Sequence, residues 1–350
     1  MFVSSAGRAE IMAASRRWPR QFIVAILASA AACVSAGAAA PDDRDVAVRV
    51  GDASIARSAI DTVIRRLNPA ALAAGEQRLQ VEASVVEQLV DEAILRLELS
   101  RQLVGVAASE IDAGIERLKA QFVGKATTFE EFLARSGRDE PMLREQIALE
   151  IGLEKYVRQR LTPEAIEAAY ATNRREVDGT RLRVSHVVLR PNILSDDGLE
   201  RRLKQADGIR RDILQGRMTF EEAARRYSAG PSRHRGGDLG WIGRDGPLID
   251  AFAKPVFAIT RGDVSRPFIT PYGIHIVKVT EMEAGRVGIG EARPRLEKML
   301  AARLVRELVA EGRRATPVEY AMGVAHFDLA TPADGPQPRR VVVDAAAVGN

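Results

Sequence analysis

The sequence predicts an α+β protein with a mostly helical N-terminal domain, a strand-bearing block and one further helix. Three observations carry that expectation. Apolar residues recur at helical spacing through residues 44–175. Residues 181–283 are framed by two short apolar strands, Val184-Ser185-His186-Val187-Val188-Leu189 and Gly273-Ile274-His275-Ile276-Val277-Lys278-Val279, each with a histidine inside it. After the block, Leu296, Met299, Leu300, Leu304, Val305 and Leu308 form one amphipathic stripe over residues 291–312.

Taken in order, Val46-Ala47-Val48-Arg49-Val50 alternates and then turns at Gly51-Asp52, as a short strand does. Leu79, Val86, Leu89, Val90, Ala93, Ile94 and Leu97 keep one helical face. Ser109 with Asp112 reads as a capping box ahead of the stripe Ile111, Ile115, Leu118 and Phe122. Thr128 with Glu131 opens a short helix ending at Gly137, and Pro141 opens another carried by Leu143, Ile147, Ile151 and Val157. Thr162-Pro163-Glu164 supplies a cap, a proline at the first helical position and an early acid. The region is expected to be helical throughout except for its first strand, with its boundary at Asp178-Gly179-Thr180. The helix at 291–312 cannot bury its own stripe and is expected to return to the N-terminal helices. Gly288-Ile289-Gly290 reads as a linker, because Arg293 stands where a dinucleotide loop needs its third glycine. Residues 334–350 have few large apolar side chains and are expected to be disordered.

Between its two histidine strands the block carries Thr219-Phe220-Glu221-Glu222-Ala223-Ala224 and the turn Arg235-Gly236-Gly237-Asp238-Leu239-Gly240-Trp241. This order of motifs resembles the parvulin-type peptidyl-prolyl cis-trans isomerases. The whole arrangement of export signal, helical region, block and returning helix is similar to the SurA and PrsA class of exported foldases. The resemblance implies a four-stranded antiparallel sheet surrounded by helices, and an enzyme that needs neither metal nor cofactor nor covalent intermediate. Its task would be to twist Xaa-Pro bonds, whose rotation faces a barrier of about 18–20 kcal/mol and takes tens to hundreds of seconds unaided.

Carried over by motif, Leu239, Leu248, Phe252 and Phe257 correspond to the apolar residues around the substrate proline. His186 and His275 correspond to the family's paired histidines. Both lie in apolar strands, so a neutral pair in mutual hydrogen-bond contact, shaping the site, is expected over a free base. Gly230 departs from the pattern, standing where parvulins carry an aspartate or cysteine facing the substrate carbonyl. Tyr272 replaces a small residue; its ring would narrow the pocket, or its hydroxyl would stand in for the missing polar group. Residues 190–198 hold Asp196 and Asp197 without a basic cluster, which argues against phosphate recognition. His234 lies in a polar loop, and His326 carries no functional indication. A second reading stays open: a parvulin-like chaperone that grips unfolded exported clients without effective catalysis, which Gly230 favours.

The first forty residues have the order of a secretory signal peptide. Arg16, Arg17 and Arg20 precede an uncharged apolar run from Phe22, and Ala36-Gly37-Ala38 forms a cleavage site. A retained anchor through residues 21–40 and lipidation at Cys33, the single cysteine, are the alternatives. The protein is therefore expected outside the cytoplasm, in the periplasm or cell envelope. Its partners would be unfolded exported proteins with Xaa-Pro bonds. A net charge of +4 spread over 350 residues offers no nucleic-acid surface. No HExxH, GxSxG or P-loop motif is present in the sequence.

Overall fold

A computed structural model describes residues 45–67, 76–136, 138–190, 196–244, 246, 248–328 and 341–343. The expectations for residues 1–44, and Gly137 as a helix end, lie outside the described residues. The chain divides into two compact units, Met1–Arg160 with Ala301–Asp328 and Arg340–Asn350, and Leu161–Leu300 with Leu329–Arg339.

The first unit contains β1 (Val46–Val50), β2 (Ala53–Ala56), α1 (Arg57–Leu67), α2 (Glu76–Arg101), α3 (Ala108–Ala120), α4 (Phe129–Ser136) and α5 (Glu140–Arg160). It also takes the later residues of α11 (Ile289–Ala315), then β7 (Val318–Tyr320), β8 (Ala325–Phe327) and β9 (Val341–Val343). The helical expectation needs correcting here. β1 pairs antiparallel with β2 on one side and with β7 on the other, making a three-stranded sheet. Val48, Val50 and Ile55 bury one face of it against Ile60 and Val63 of α1 and Leu89, Val90 and Ile94 of α2. A partner strand more than two hundred residues away leaves no mark in the local pattern of β1. Within the tail expected to be disordered, Val341–Val343 pairs with β8, since a run of three β-branched residues suits a strand once an edge is available.

The caps show how closely local signals set helix starts. Thr128 and Glu131 exchange hydrogen bonds at 3.1 Å each, as a capping box requires. The start of α3 falls earlier than Ser109: the Ala107 N–H donates to the Glu110 carboxylate at 2.8 Å, while Asp112 pairs with Arg144 on α5.

The second unit opens with α6 (Pro163–Thr172) and α7 (Arg174–Val177), followed by β3 (Arg181–Leu189), α8 (Asp196–Leu214), α9 (Phe220–Tyr227), β4 (Asp238–Gly243), α10 (Asp250–Phe257), β5 (Phe268–Thr270), β6 (Gly273–Glu283) and the first turns of α11. The four strands form one antiparallel sheet in the order β4-β3-β6-β5, with β3 and β6 central. One face carries Val187, Leu189, Ile274 and Ile276 under α8 and α9; the other carries Leu182, Val184, Val277 and Val279 under α10. Covering on both faces is why both histidine strands read as nearly continuous apolar runs.

The expected boundary at Asp178-Gly179-Thr180 is a clasp. The buried Asp178 carboxylate accepts from the Thr180 N–H at 2.9 Å and from the Thr180 hydroxyl at 2.6 Å. Its carbonyl accepts from the Val287 N–H at 2.9 Å, on the way out of β6. Ile289 and Gly290, read as linker, are the first residues of α11, and the Gly288 carbonyl accepts from the Ala292 N–H.

Candidate active site

The site lies on the α10 face of the sheet. β3 and β6 run antiparallel with Val188 opposite His275 and His186 opposite Val277, so the two histidines are diagonal neighbours on one face. Their ring centroids are 5.7 Å apart. Phe252, from α10, meets both rings nearly perpendicularly, at 5.3 Å from His275 and 6.4 Å from His186. Phe268 of β5 stacks on His275 at 5.6 Å.

The turn into β4 is built around the backbone of this strand. Gly237 has φ +88, and a Cβ there would meet the His186 carbonyl at 2.5 Å. The His186 N–H donates to the Gly237 carbonyl at 2.9 Å, so the second glycine of Arg235-Gly236-Gly237 is demanded by close approach as well as conformation. Below it, the Ser228 hydroxyl accepts from the Val188 N–H at 3.1 Å and the Gly230 N–H at 3.2 Å, fixing the loop that enters the short turn Pro231–Arg235.

A cavity of about 340 Å³ opens here, lined by His186, Val188, Arg190, Ala229, Gly230, Pro231, Leu239, Leu248, Ile249, Phe252, Tyr272 and His275. Of the eight residues singled out in the sequence, seven meet around it: His186, His275, Gly230, Tyr272, Leu239, Leu248 and Phe252. Phe257 does not. It is buried in the core behind α10 with Val256, Val277 and Val279, because it sits nearly one and a half helical turns beyond Phe252. Tyr272 stands at the rim with 70% of its surface exposed. Val188, Ala229, Pro231 and Ile249 were not legible as wall residues, being apolar positions indistinguishable in sequence from core. His234 is exposed, as its polar loop suggested; His326, in the first unit, is buried and stacked on Tyr320.

The mutual histidine hydrogen bond is absent. His275 Nε2 lies 2.8 Å from the Thr270 hydroxyl, whereas His275 Nδ1 and both His186 nitrogens are buried without a hydrogen-bond partner. The physical reason is the diagonal placement, which sets the ring centroids 5.7 Å apart, together with Thr270, which engages His275 Nε2. Burial pushes the pKa of each ring down to about 4; for His275 the neighbouring His186 adds a smaller push in the same direction. Both imidazoles are therefore neutral at pH 7, each offering one N–H and one lone pair. Gly230 lies against this arrangement. A Cβ built on it would stand 3.0 Å from His186 Nε2 and 3.0 Å from Val188 Cγ1. Any side chain at position 230 would be the immediate neighbour of the unpartnered nitrogen.

Residues 186–281 match the family model of the PPIC-type PPIASE domain, and residues 10–157 match the SurA-like N-terminal domain. The chain carries a parvulin-type domain joined to a SurA-like N-terminal domain. Among characterised relatives, the foldase protein PrsA of Bacillus subtilis (strain 168) is 29% identical over 201 residues, which cover 57% of this chain and 60% of PrsA. The chaperone SurA of Xanthomonas euvesicatoria pv. vesicatoria is 25% identical over 275 residues, covering 76% of this chain and 59% of SurA. The chain thus spans about three-fifths of the length of these relatives. The crystal structure of PrsA from Bacillus anthracis superposes with a TM-score of 0.40 at 20% identity, covering 66% of this chain and 96% of that one.

Proposed function

We propose that the protein is an exported peptidyl-prolyl cis-trans isomerase that assists the folding of other exported proteins. The observation that carries this reading is one apolar cavity in which Leu239, Leu248 and Phe252 converge with two neutral histidines whose ring nitrogens are buried. Rotation about a prolyl bond needs no nucleophile. It needs a pocket for the ring and surroundings that favour the twisted amide over either planar form. The planar amide is the more polar species, so an apolar cavity withdraws more solvation from it than from the twisted one. Phe252, Leu239 and Leu248 hold the proline, and Phe257 supports α10 from behind. His186 and His275 shape the polar side of the pocket as neutral donors and acceptors, and Tyr272 borders its entrance.

The helical residues 44–175, with residues 291–312, would hold unfolded clients, since the pocket accommodates little beyond one proline and its neighbours. Export to the periplasm or cell envelope follows from the N-terminal order of charges and apolar residues, with residues 21–40 as a cleaved signal or an anchor. Among the described residues no helix is long and apolar enough to cross a membrane.

Gly230 favours a second reading, a chaperone that binds prolyl segments but turns them slowly, because the polar group usually beside His186 is missing. A proline-isomerisation assay with the full chain separates the two. Acceleration of an Ala-Ala-Pro-Phe peptide, abolished by Phe252→Ala in a chain that remains folded, supports the enzyme. Binding of that peptide without acceleration supports the chaperone.

A further inference from the structure

One ionic cluster touches the pocket only indirectly. Arg244 directly follows β4, and its guanidinium reaches Glu176 of α7 at 3.1 Å and Asp250, the first residue of α10, at 2.7 Å. The Arg244 and Glu176 side chains are only 13% and 19% exposed, so this is a largely desolvated pair rather than a surface one. Asp250 is 70% exposed and forms the weaker arm. At the far end of α10 the neighbouring Arg175 donates to the Ile259 carbonyl at 3.2 Å. A single short helix therefore holds both ends of α10. Leu248, Ile249 and Phe252, three walls of the cavity, lie at the start of that helix and just before it.

We infer that Arg244 is a positioning residue for the prolyl pocket, holding the entrance of α10 in place through Glu176. The inference rests on the isomerase reading above and adds something neither motif nor resemblance supplied. The anchor lies before β3, outside the residues 181–283 that carry the recognisable motifs. Leu248 and Ile249 meet the proline alike in its planar and twisted forms, so displacing them weakens binding in both states and spares the chemical step.

The test is made in the full chain, with the Ala-Ala-Pro-Phe peptide, reading KM, kcat and the peptide Kd. Glu176→Gln and Arg244→Gln should each raise KM and Kd about tenfold with kcat within about twofold of the parent. Their double variant should be no worse than either single, because both break one interaction. Arg244→Lys should give an intermediate KM, since an ammonium cannot span both carboxylates as a planar fork does. Asp250→Asn should raise KM about threefold at most, as the exposed arm is screened by solvent. If Arg244→Gln unfolds, Glu176→Gln and Asp250→Asn carry the measurement. An unchanged KM in folded Glu176→Gln, or strictly additive singles, overturns the inference while leaving the isomerase reading intact. A parent chain that neither turns over nor binds the peptide overturns both.

Discussion

Each unit buries polar side chains, and two glutamates of the first and two histidines of the second do so in opposite ways. In the helical unit Glu92 and Glu98 are 5% exposed, and each carboxylate is joined to an arginine one turn along α2: Glu92 to Arg96 at 2.7 Å and Glu98 to Arg101 at 2.5 Å. In the sheet unit His186 and His275 are neutral, and three of their four ring nitrogens lack a partner. Leaving a buried polar group unpaired costs about 1–3 kcal/mol each time, so the site histidines stand against stability, whereas each of these carboxylates recovers part of its burial cost from its arginine. Paired buried charge reads as architecture. Unpaired buried polarity, facing a cavity, reads as something kept available for a substrate.

The comparison is broken most directly by removing one member of each kind. Arg96→Ala leaves Glu92 buried without its partner and should destabilise the helical unit by about 3 kcal/mol or more, as denaturant unfolding would show. His186→Phe should stay within about 1 kcal/mol of the parent while isomerisation falls, because an apolar ring replaces a group that had no partner to lose. Equal losses from the two substitutions would erase the distinction.

Acid sharpens it next. The folded pKa of each site histidine is about 4 against an ordinary 6.5, so the unfolded chain binds protons first. The histidines' contribution is complete above pH 6.5 and is lost as pH falls towards 4, by on the order of 3 kcal/mol per ring. Glu92 runs the other way. Burial outweighs Arg96 and raises its pKa, so its folded form gains as pH falls towards the carboxylate range. Hydrogen exchange between pH 7 and 4.5 should show protection decreasing in β3 and β6 before it decreases in α2.

Gly230→Asp carries the smallest effect on stability and the most informative one on rate. The new Cβ must gain a few tenths of an ångström from Val188 and His186. The carboxylate then gives His186 an acceptor beside it and raises its pKa. The isomerisation rate should rise, and the ¹⁵N shifts of the His186 ring should report the new hydrogen bond. Loss of rate in a folded variant would mean that the glycine's open space serves the pocket better than a polar group would.

The sheet block was readable because its signals are local. Two apolar strands with one histidine each, the motif Thr219-Phe220-Glu221-Glu222-Ala223-Ala224, and Gly236-Gly237 before Asp238 all act within a few residues. The apolar wall was readable in part. Leu239, Leu248 and Phe252 point into the cavity, whereas Phe257, on the same helix as Phe252, is turned into the core by helical geometry that motif alignment does not weigh. The three-stranded sheet of the helical unit is not legible in the sequence because β7 is only three residues long and becomes a strand by joining β1.

By itself, then, the sequence determined the helix periodicity, most caps, the two central strands and the residues that gather at the cavity, since each depends on the order of neighbours along the chain. Tertiary structure alone decided which polar groups in and around the cavity found partners. Glu176 meets Arg244 across 68 residues, Thr270 takes Nε2 of His275, and the bare α-carbon of Gly230 stands beside the free nitrogen of His186. A hydrogen bond is won or lost over a few tenths of an ångström, and that distance is set by how strands and helices far apart in the chain pack together.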